Sequence, residues 1–489
     1  MPAGAEITKV VVHMYKMGTG DSFVLKFYDG NKIMLKMLID CGCWSKRKHA
    51  DIIPFVQTIR DDVNGHIDVL VVTHEHLDHV LGFHAARDVF KNEITIGEIW
   101  MGWTEEDGDP DVDEWKEKYA ERTMAILKAA NEVKARLDSP DYTSQYAASK
   151  YKDEIHSLHS RFKNVLSDFA VLHADGDIKP GQAGMEFVKN ILANNNIKFF
   201  KPGTVMRDIT GLPDVKVFVL GPPLVYESVK QESGGEGESY DHNNDIDADD
   251  LLLKALDLQG NGQISAELFP FDKYYETNDV IVESTQKTQY ESEEWRKIDF
   301  DWLFSSGSLA LRMNSLTNNL SLALAFQFPE DNKVILFPGD AEYGSWKSWH
   351  DIDWSLQGED IETKDLLANT VFYKVAHHLS HNGTAKNLGL SLMKHKDLAA
   401  MATLDYTNIS DGWKSTMPNK LIIKDLLTQT KGRLMIMNPD GLFYDLDELI
   451  PLQEKIDEFI GRMSDSEKNK FIADFDNSHA HYVEYTVRL

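Results

Sequence analysis

An apolar run, Ile67-Asp68-Val69-Leu70-Val71-Val72, leads directly into Thr73-His74-Glu75-His76-Leu77-Asp78-His79. This junction constrains the fold more than any other part of the chain. The run reads as a buried strand, and the polar stretch reads as the turn that opens a helix. Residues just past a strand end stay near-extended. His74, His76 and Asp78, at i, i+2 and i+4, are therefore expected to point to one side and His79 away from them. One turn then serves two adjacent metal ions, with His74 and His76 on one, and Asp78 and His79 on the other. The bland alternative is a polar, helix-starting loop. With only 18 histidines in 489 residues, three within six positions argue against it.

The His-x-His-x-Asp-His motif at a strand end resembles that of the metallo-β-lactamase-fold hydrolases. Further landmarks follow in order: Met17-Gly18-Thr19-Gly20-Asp21-Ser22, then Met37-Leu38-Ile39-Asp40-Cys41-Gly42, both similar to the opening strands of that family. Downstream come Asn319-Leu320-Ser321-Leu322, Val334-Ile335-Leu336-Phe337-Pro338-Gly339-Asp340 and Tyr373-Lys374-Val375-Ala376-His377-His378-Leu379-Ser380-His381. The set is most similar to the subgroup typified by the soluble domain of bacterial DNA-uptake channels (ComEC-like). The resemblance implies a four-layer αββα sandwich of α/β class and a site for two divalent ions, zinc or manganese. It also implies that Asp340 bridges them and that the His377-His378 pair supplies the last ligand.

Only one of that pair is expected to bind, because neighbours on an extended chain face opposite sides; His378 is preferred. The other, or His381, is then placed to donate to substrate or act as general acid, while Asp78 belongs to the catalytic set. Asp40 is expected to orient a ligand imidazole from behind, with Asp21 doing similar work or shaping its turn. Imidazole and carboxylate suit zinc, manganese or iron(II), and no cysteine stands in ligand position. Asp340 has a bland reading as the opening of a turn or a helix cap.

Two departures from the resembled pattern stand out. No histidine ends a strand between the motif and Asp340, where many members supply a third ligand to the first ion. His84, His156, His159, His173 and His242 fall in that interval, and Asn318 or Asn319 is left to fill the gap. Leu379 also replaces the glycine of the subgroup's His-His-Gly-Ser turn, which narrows the room beside the metals.

Length allows more than one domain. Residues 1–103 and 200–489 read as the catalytic domain, 104–199 as a helical insertion of two amphipathic helices, and 228–300 as an acidic, partly flexible insertion. Within the last, Asp257 to Leu268 imitates a calcium-binding loop, but Leu268 stands where a bidentate glutamate is needed. Helices are also expected at 341–349, 386–395, 418–428 and 450–461, with a closing strand at 481–488.

The formal charge of −28 leaves no electrostatic footprint for duplex nucleic acid, yet two divalent ions can reverse the sign locally for a small phosphorylated substrate or a nucleic-acid end. No apolar run approaches the length of a membrane span. Cys41 and Cys43 are the only cysteines and are poorly placed to bridge, which suits a reducing, cytoplasmic setting.

The expected function is hydrolysis of a phosphodiester through a metal-held hydroxide. Hydrolysis of a carboxylic ester, lactone or amide is the alternative, and a scaffold with a vestigial metal site is a third reading. Lys414, in Trp413-Lys414-Ser415-Thr416, is a candidate phosphate contact, or simply part of a loop before a helix. The helical insertion is a candidate surface for a homo-oligomer or a protein partner.

Overall fold

A computed structural model describes residues 6–44, 49–108, 110, 112–113, 180–193, 196–231, 234–235, 238, 240, 317–409, 414, 417–445 and 449–489. Two compact units divide the chain. One comprises Met1–Lys116, Asp168–Asn244 and Ser315–Leu489; the other, Glu117–Ser167 with Asp245–Asn314, lies outside the described residues. His156, His159, His173, His242, Trp413 and the calcium-loop imitation at 257–268 also lie outside them.

In chain order the strands are β1 (Lys9–Tyr15), β2 (Phe23–Asp29), β3 (Lys32–Ile39), β4 (His66–Val71), β5 (Thr95–Gly102), β6 (Ile197–Phe200), β7 (Val205–Met206), β8 (Lys216–Val219) and β9 (Leu324–Gln327). They continue with β10 (Val334–Phe337), β11 (Thr370–Lys374), β12 (Ala399–Asp405), β13 (Leu434–Asn438), β14 (Phe443–Asp445), β15 (Ile450–Pro451), β16 (Phe475–Asp476) and β17 (Tyr482–Arg488). The first sheet has the order β16-β17-β1-β2-β3-β4-β5-β6, antiparallel as far as β3 and parallel beyond it. The second has the order β13-β12-β11-β10-β9-β8-β7, parallel from β13 to β10 and antiparallel from there to β7. Strands β14 and β15 form a separate pair.

The sheets pack face to face through one apolar core that joins Val12, Phe23, Leu25, Met37, Val69 and Val71 to Phe326, Ile335, Phe337, Phe372 and Met401. A second core covers the outer face of the first sheet. There Leu38, Leu70 and Val72 meet residues of helices α1 (His49–Asp62), α2 (Leu77–Ala85) and α3 (Arg87–Glu93). The end of β4, Val69–Val71, is thus buried on both faces, which is why it reads as a continuous apolar run, while Asp68 before it stays partly exposed. Helices at Tyr343–Trp349 and Lys420–Thr430 bury Trp346, Trp349, Ile422, Ile423, Leu426 and Leu427 on the side of the second sheet. The result is the four-layer αββα arrangement.

Two local differences from expectation have physical causes. Residues 386–395 form only a short turn of 3-10 helix, Leu390–Leu392. Gly389, just before it, lies so close to Trp346 that an added Cβ would come within 2.9 Å of the indole. Within the stretch read as helical insertion, helix Pro180–Phe187 sits on α2, where a Cβ at Gly184 would meet the Val80 carbonyl at 2.4 Å, and β6 extends the first sheet.

Candidate metal centre

The expected ligands gather where parallel strands end: Asp40 after β3, His74 to His79 after β4, Asp340 after β10, and His377 and His378 after β11. Carboxyl ends of parallel strands are where α/β folds open a crevice for ligands. The motif is held from behind by the opening loop. The Asp21 and Cys41 amides donate to the Asp78 and His79 carbonyls, each at 2.9 Å. Gly42 allows this approach, since a Cβ there would lie 2.2 Å from the Asp78 backbone.

His79 does not point away from its neighbours. Helix α2 begins at Leu77, so His76 is the last extended residue and Asp78 and His79 lie on the first helical turn. The turn brings the His79 ring back to 4.1 Å from that of His74.

Two groups of donors result. In one, His74 Nε2 and His76 Nδ1 lie 3.0 Å apart. In the other, Asp78, His79, Asp340 and His378 each present a ligand atom within 4.8 Å of the rest. Asp340 Oδ2 is its centre, 3.1 Å from both His79 Nε2 and His378 Nε2, with Asp78 Oδ2 also 3.1 Å from His378 Nε2. Donors bound to one tetrahedral ion at about 2.0–2.1 Å are themselves roughly 3.3 Å apart, so these spacings suit a shared cation. Buried His76 Nε2, His79 Nε2 and Asp340 Oδ2 have no hydrogen-bond partner. Orphaned atoms of this kind are costly unless a ligand meets them, and at His79 and Asp340 an imidazole nitrogen beside a carboxylate oxygen suits a divalent metal ion.

Behind His79, Asp40 is fully buried and accepts the Thr73 amide at 2.8 Å, the Thr73 hydroxyl at 2.6 Å and the His79 Nδ1–H at 2.7 Å. That fixes the proton on Nδ1 and leaves Nε2 facing the cluster. Charge follows the same logic. Burial works against ionisation of Asp340, but His378, Lys374 and His79 outweigh it and hold its carboxyl well below the usual range. Burial disfavours charge on His378 too, yet Asp340 and Asp78 push it up to about 9. Burial and neighbouring His79 instead drive His74 well down and His76 to about 4, so these two are neutral imidazoles with lone pairs to offer.

The comparisons bear on this geometry directly. Residues 20–128 match the model of the metallo-beta-lactamase superfamily. That segment contains the opening loop and the whole His74–His79 motif, and the superfamily implies a metal-dependent hydrolase. Asp340 and His378 lie beyond the match and join the motif in space. No curated protein matches the chain.

The remaining superfamily-type candidates divide. His377 and His378 are not extended: both adopt left-handed backbone, φ 45° and 49°, and Leu379 continues it at φ 68°. The two rings still diverge, with planes 70° apart. His377 leaves the central group and meets Glu342 at 3.2 Å, Asn382 at 3.2 Å and Asn318 at 3.3 Å. Asn319 is not available as a ligand. Its side-chain oxygen accepts from the Glu342 and Ser345 amides and the Ser345 hydroxyl, pinning the helix at Tyr343–Trp349. Asn318 donates to Glu342 at 2.7 Å, and its oxygen is buried without a partner. Half-buried His381 meets the Ser380 hydroxyl at 3.5 Å, His84 lies half-buried on α2, and Lys414 sits 5.5 Å above the Tyr406 ring.

Four residues that sequence reasoning missed complete the surroundings. Lys374 is fully buried, ion-paired with Asp21 and, at 3.0 Å, with Asp340. Thr403 contacts His378, Ser321 contacts His74 at 3.2 Å, and Glu342 contacts His377. The only forewarning in the sequence was a lysine, Lys374, closing the otherwise uncharged strand Thr370–Lys374.

Proposed function

We propose that the chain is a two-metal phosphodiesterase acting on a nucleotide or a nucleic-acid end. The observation that carries this reading is Asp340 Oδ2, buried, without a hydrogen bond, and 3.1 Å from each of two imidazole nitrogens. His74 and His76 would hold one ion, Asp78, His79 and His378 the other, with Asp340 shared between them. Divalent ions held there supply Lewis-acid activation of water and neutralise charge on a phosphoryl group. The protein's part is to fix donor directions and to keep the donors from water: Asp40 sets His79, and burial keeps His74 and His76 unprotonated at neutral pH. Asp78, 18% exposed, is the most exposed of these donors. The resemblance to the soluble domain of DNA-uptake channels at Gly18–Ser22, Asn319–Leu322 and Gly339-Asp340, though not at the Leu379 turn, favours a phosphodiester over a carboxylic ester.

The test compares wild type and Asp78→Ala, each supplied with manganese or zinc, on bis(p-nitrophenyl) phosphate and on p-nitrophenyl acetate. Losing an outer-shell partner of a metal site costs about 10–100-fold, so losing a ligand should cost at least about 100-fold on the phosphodiester. Equal phosphodiester turnover by the two proteins would overturn the reading. Turnover of the acetate alone would move the assignment to ester hydrolysis, and binding of metal with no turnover of either would favour a scaffold.

A further inference from the structure

Lys374 has no role in the donor set just described, yet it is buried among the donors' supports. Its Nζ pairs with Asp21 Oδ2, and reaches Asp340 Oδ1 at 3.0 Å and the Gly339 carbonyl at 2.9 Å. Three donors directed at three acceptors satisfy the ammonium completely. Asp340 Oδ1 is thereby occupied, also accepting the His377 amide at 3.2 Å, and only Oδ2 is left for the cluster. The other oxygen of Asp21 accepts the Thr403 hydroxyl at 2.7 Å, and the same hydroxyl lies 2.7 Å from His378 Nδ1.

The direction of these bonds can be worked out. Thr403 has a single hydroxyl hydrogen. An ion-paired Asp21 only accepts, so that hydrogen is donated to Asp21. If it went to His378 instead, two oxygens would face each other at 2.7 Å with no hydrogen between them. The Thr403 oxygen must then accept from His378, which requires a proton on Nδ1 and leaves Nε2 as the nitrogen that faces Asp78 and Asp340.

We propose that Lys374, Asp21 and Thr403 form a fixed relay that sets the tautomer of His378 and restricts Asp340 to one oxygen, and so determines the affinity of the metal position formed by Asp78, His79, Asp340 and His378. These are positioning residues, and the proposal rests on the two-metal reading above. The relay brings Asp21 of the opening loop between Lys374 of β11 and Thr403 of β12, a placement that a surface ion pair or a packing threonine would not need. It mirrors the direct contact from Asp40 to His79, so both imidazoles of that position have their tautomer imposed from behind.

The experiment is a competition titration of manganese or zinc against a chromophoric chelator, on metal-free full-length protein, with melting curves recorded alongside. Thr403→Val keeps the side-chain shape and removes the hydroxyl. It should bind one ion as wild type does and the other about 10–100-fold more weakly, while Thr403→Ser recovers wild-type affinity for both. Should Thr403→Val not fold, Thr403→Cys makes the same comparison with a thiol, a weak donor and acceptor. Two ions bound by the variant with wild-type affinities would overturn the relay. Equal weakening of both ions would also overturn it, by showing a general structural role. Wild type that binds no ion would overturn the proposed function and the relay with it.

Discussion

Asp40 combines two properties that rarely coincide: a left-handed backbone at φ 55° and a carboxylate receiving three hydrogen bonds in a site closed to water. The first is tolerated by aspartate and asparagine alike, so Asp40→Asn changes the second alone. An amide offers one accepting oxygen, and its NH2 would face a donor. Either the Thr73 amide, on Oδ1, or the Thr73 hydroxyl and His79, both on Oδ2, must lose their acceptor. If His79 loses its acceptor, its proton is no longer fixed on Nδ1 and Nε2 is no longer reliably bare. Metal affinity should fall about 10–100-fold in the same chelator titration, and unchanged affinity would remove Asp40 from the centre. Alanine would be a poorer probe, because its backbone resists the left-handed region. Leu379 is a contrasting case. It holds φ 68° where the resembled turn has glycine, and it is fully buried. Burying a leucine is worth about 1.5–3 kcal/mol, against about 1–2 kcal/mol for left-handed backbone, so leucine is sustained there without freeing the turn.

At the scale of elements, strand β1 carries a buried charge cluster remote from the ligands. His13 pairs through Nδ1 with Asp62, at the end of α1, and through Nε2 with Glu484 on β17, both at 2.8 Å. Strand register places His13 directly opposite Glu484. Burial opposes its charge, but the two carboxylates prevail and raise its pKa above the ordinary value. A histidine whose folded pKa is raised contributes stability that is complete below its unfolded pKa near 6.5 and is lost as pH rises through the folded value. Denaturant midpoints should therefore fall as pH rises above about 6.5 in wild type, and fall less in His13→Gln. An equal slope in both proteins would show that the cluster is not linked to folding.

This element scale is also where the sequence was most and least legible. Strand β4 and the histidines after it were readable because Val69 to Val72, buried on both faces, form an apolar run that leads straight into the motif. The facing of His79 was not, because the start of α2 at Leu77 is decided by packing against the opening loop. The 386–395 helix failed for a similar reason, at Gly389 pressed on Trp346. The role of Lys374 could not be read from its place on an apolar strand: Asp21 and Asp340, which make it tolerable, are hundreds of residues apart in sequence.

At the scale of the whole molecule, long-range and local charge have opposite consequences. Around the donors, Asp21, Asp40, Asp78, Asp340 and Glu342 outnumber the one lysine, Lys374, an excess of carboxylates that divalent ions held there would offset. The filled centre is then less negative than its donors alone, while the chain as a whole carries −28. An anionic substrate would approach against that field and react where it is offset. Screening should therefore help rather than hinder. The Debye length falls from roughly 30 Å at 0.01 M salt to about 10 Å at 0.1 M, which removes most of the long-range repulsion but little of the interaction inside a buried site. Over that range kcat/KM for a phosphodiester should rise, and rise more for a multiply charged nucleotide than for bis(p-nitrophenyl) phosphate, through KM more than kcat. A neutral ester should show no such trend. A fall in kcat/KM with salt would mean that the substrate is drawn in by a cationic surface, and the charge argument for a small phosphorylated substrate would fail.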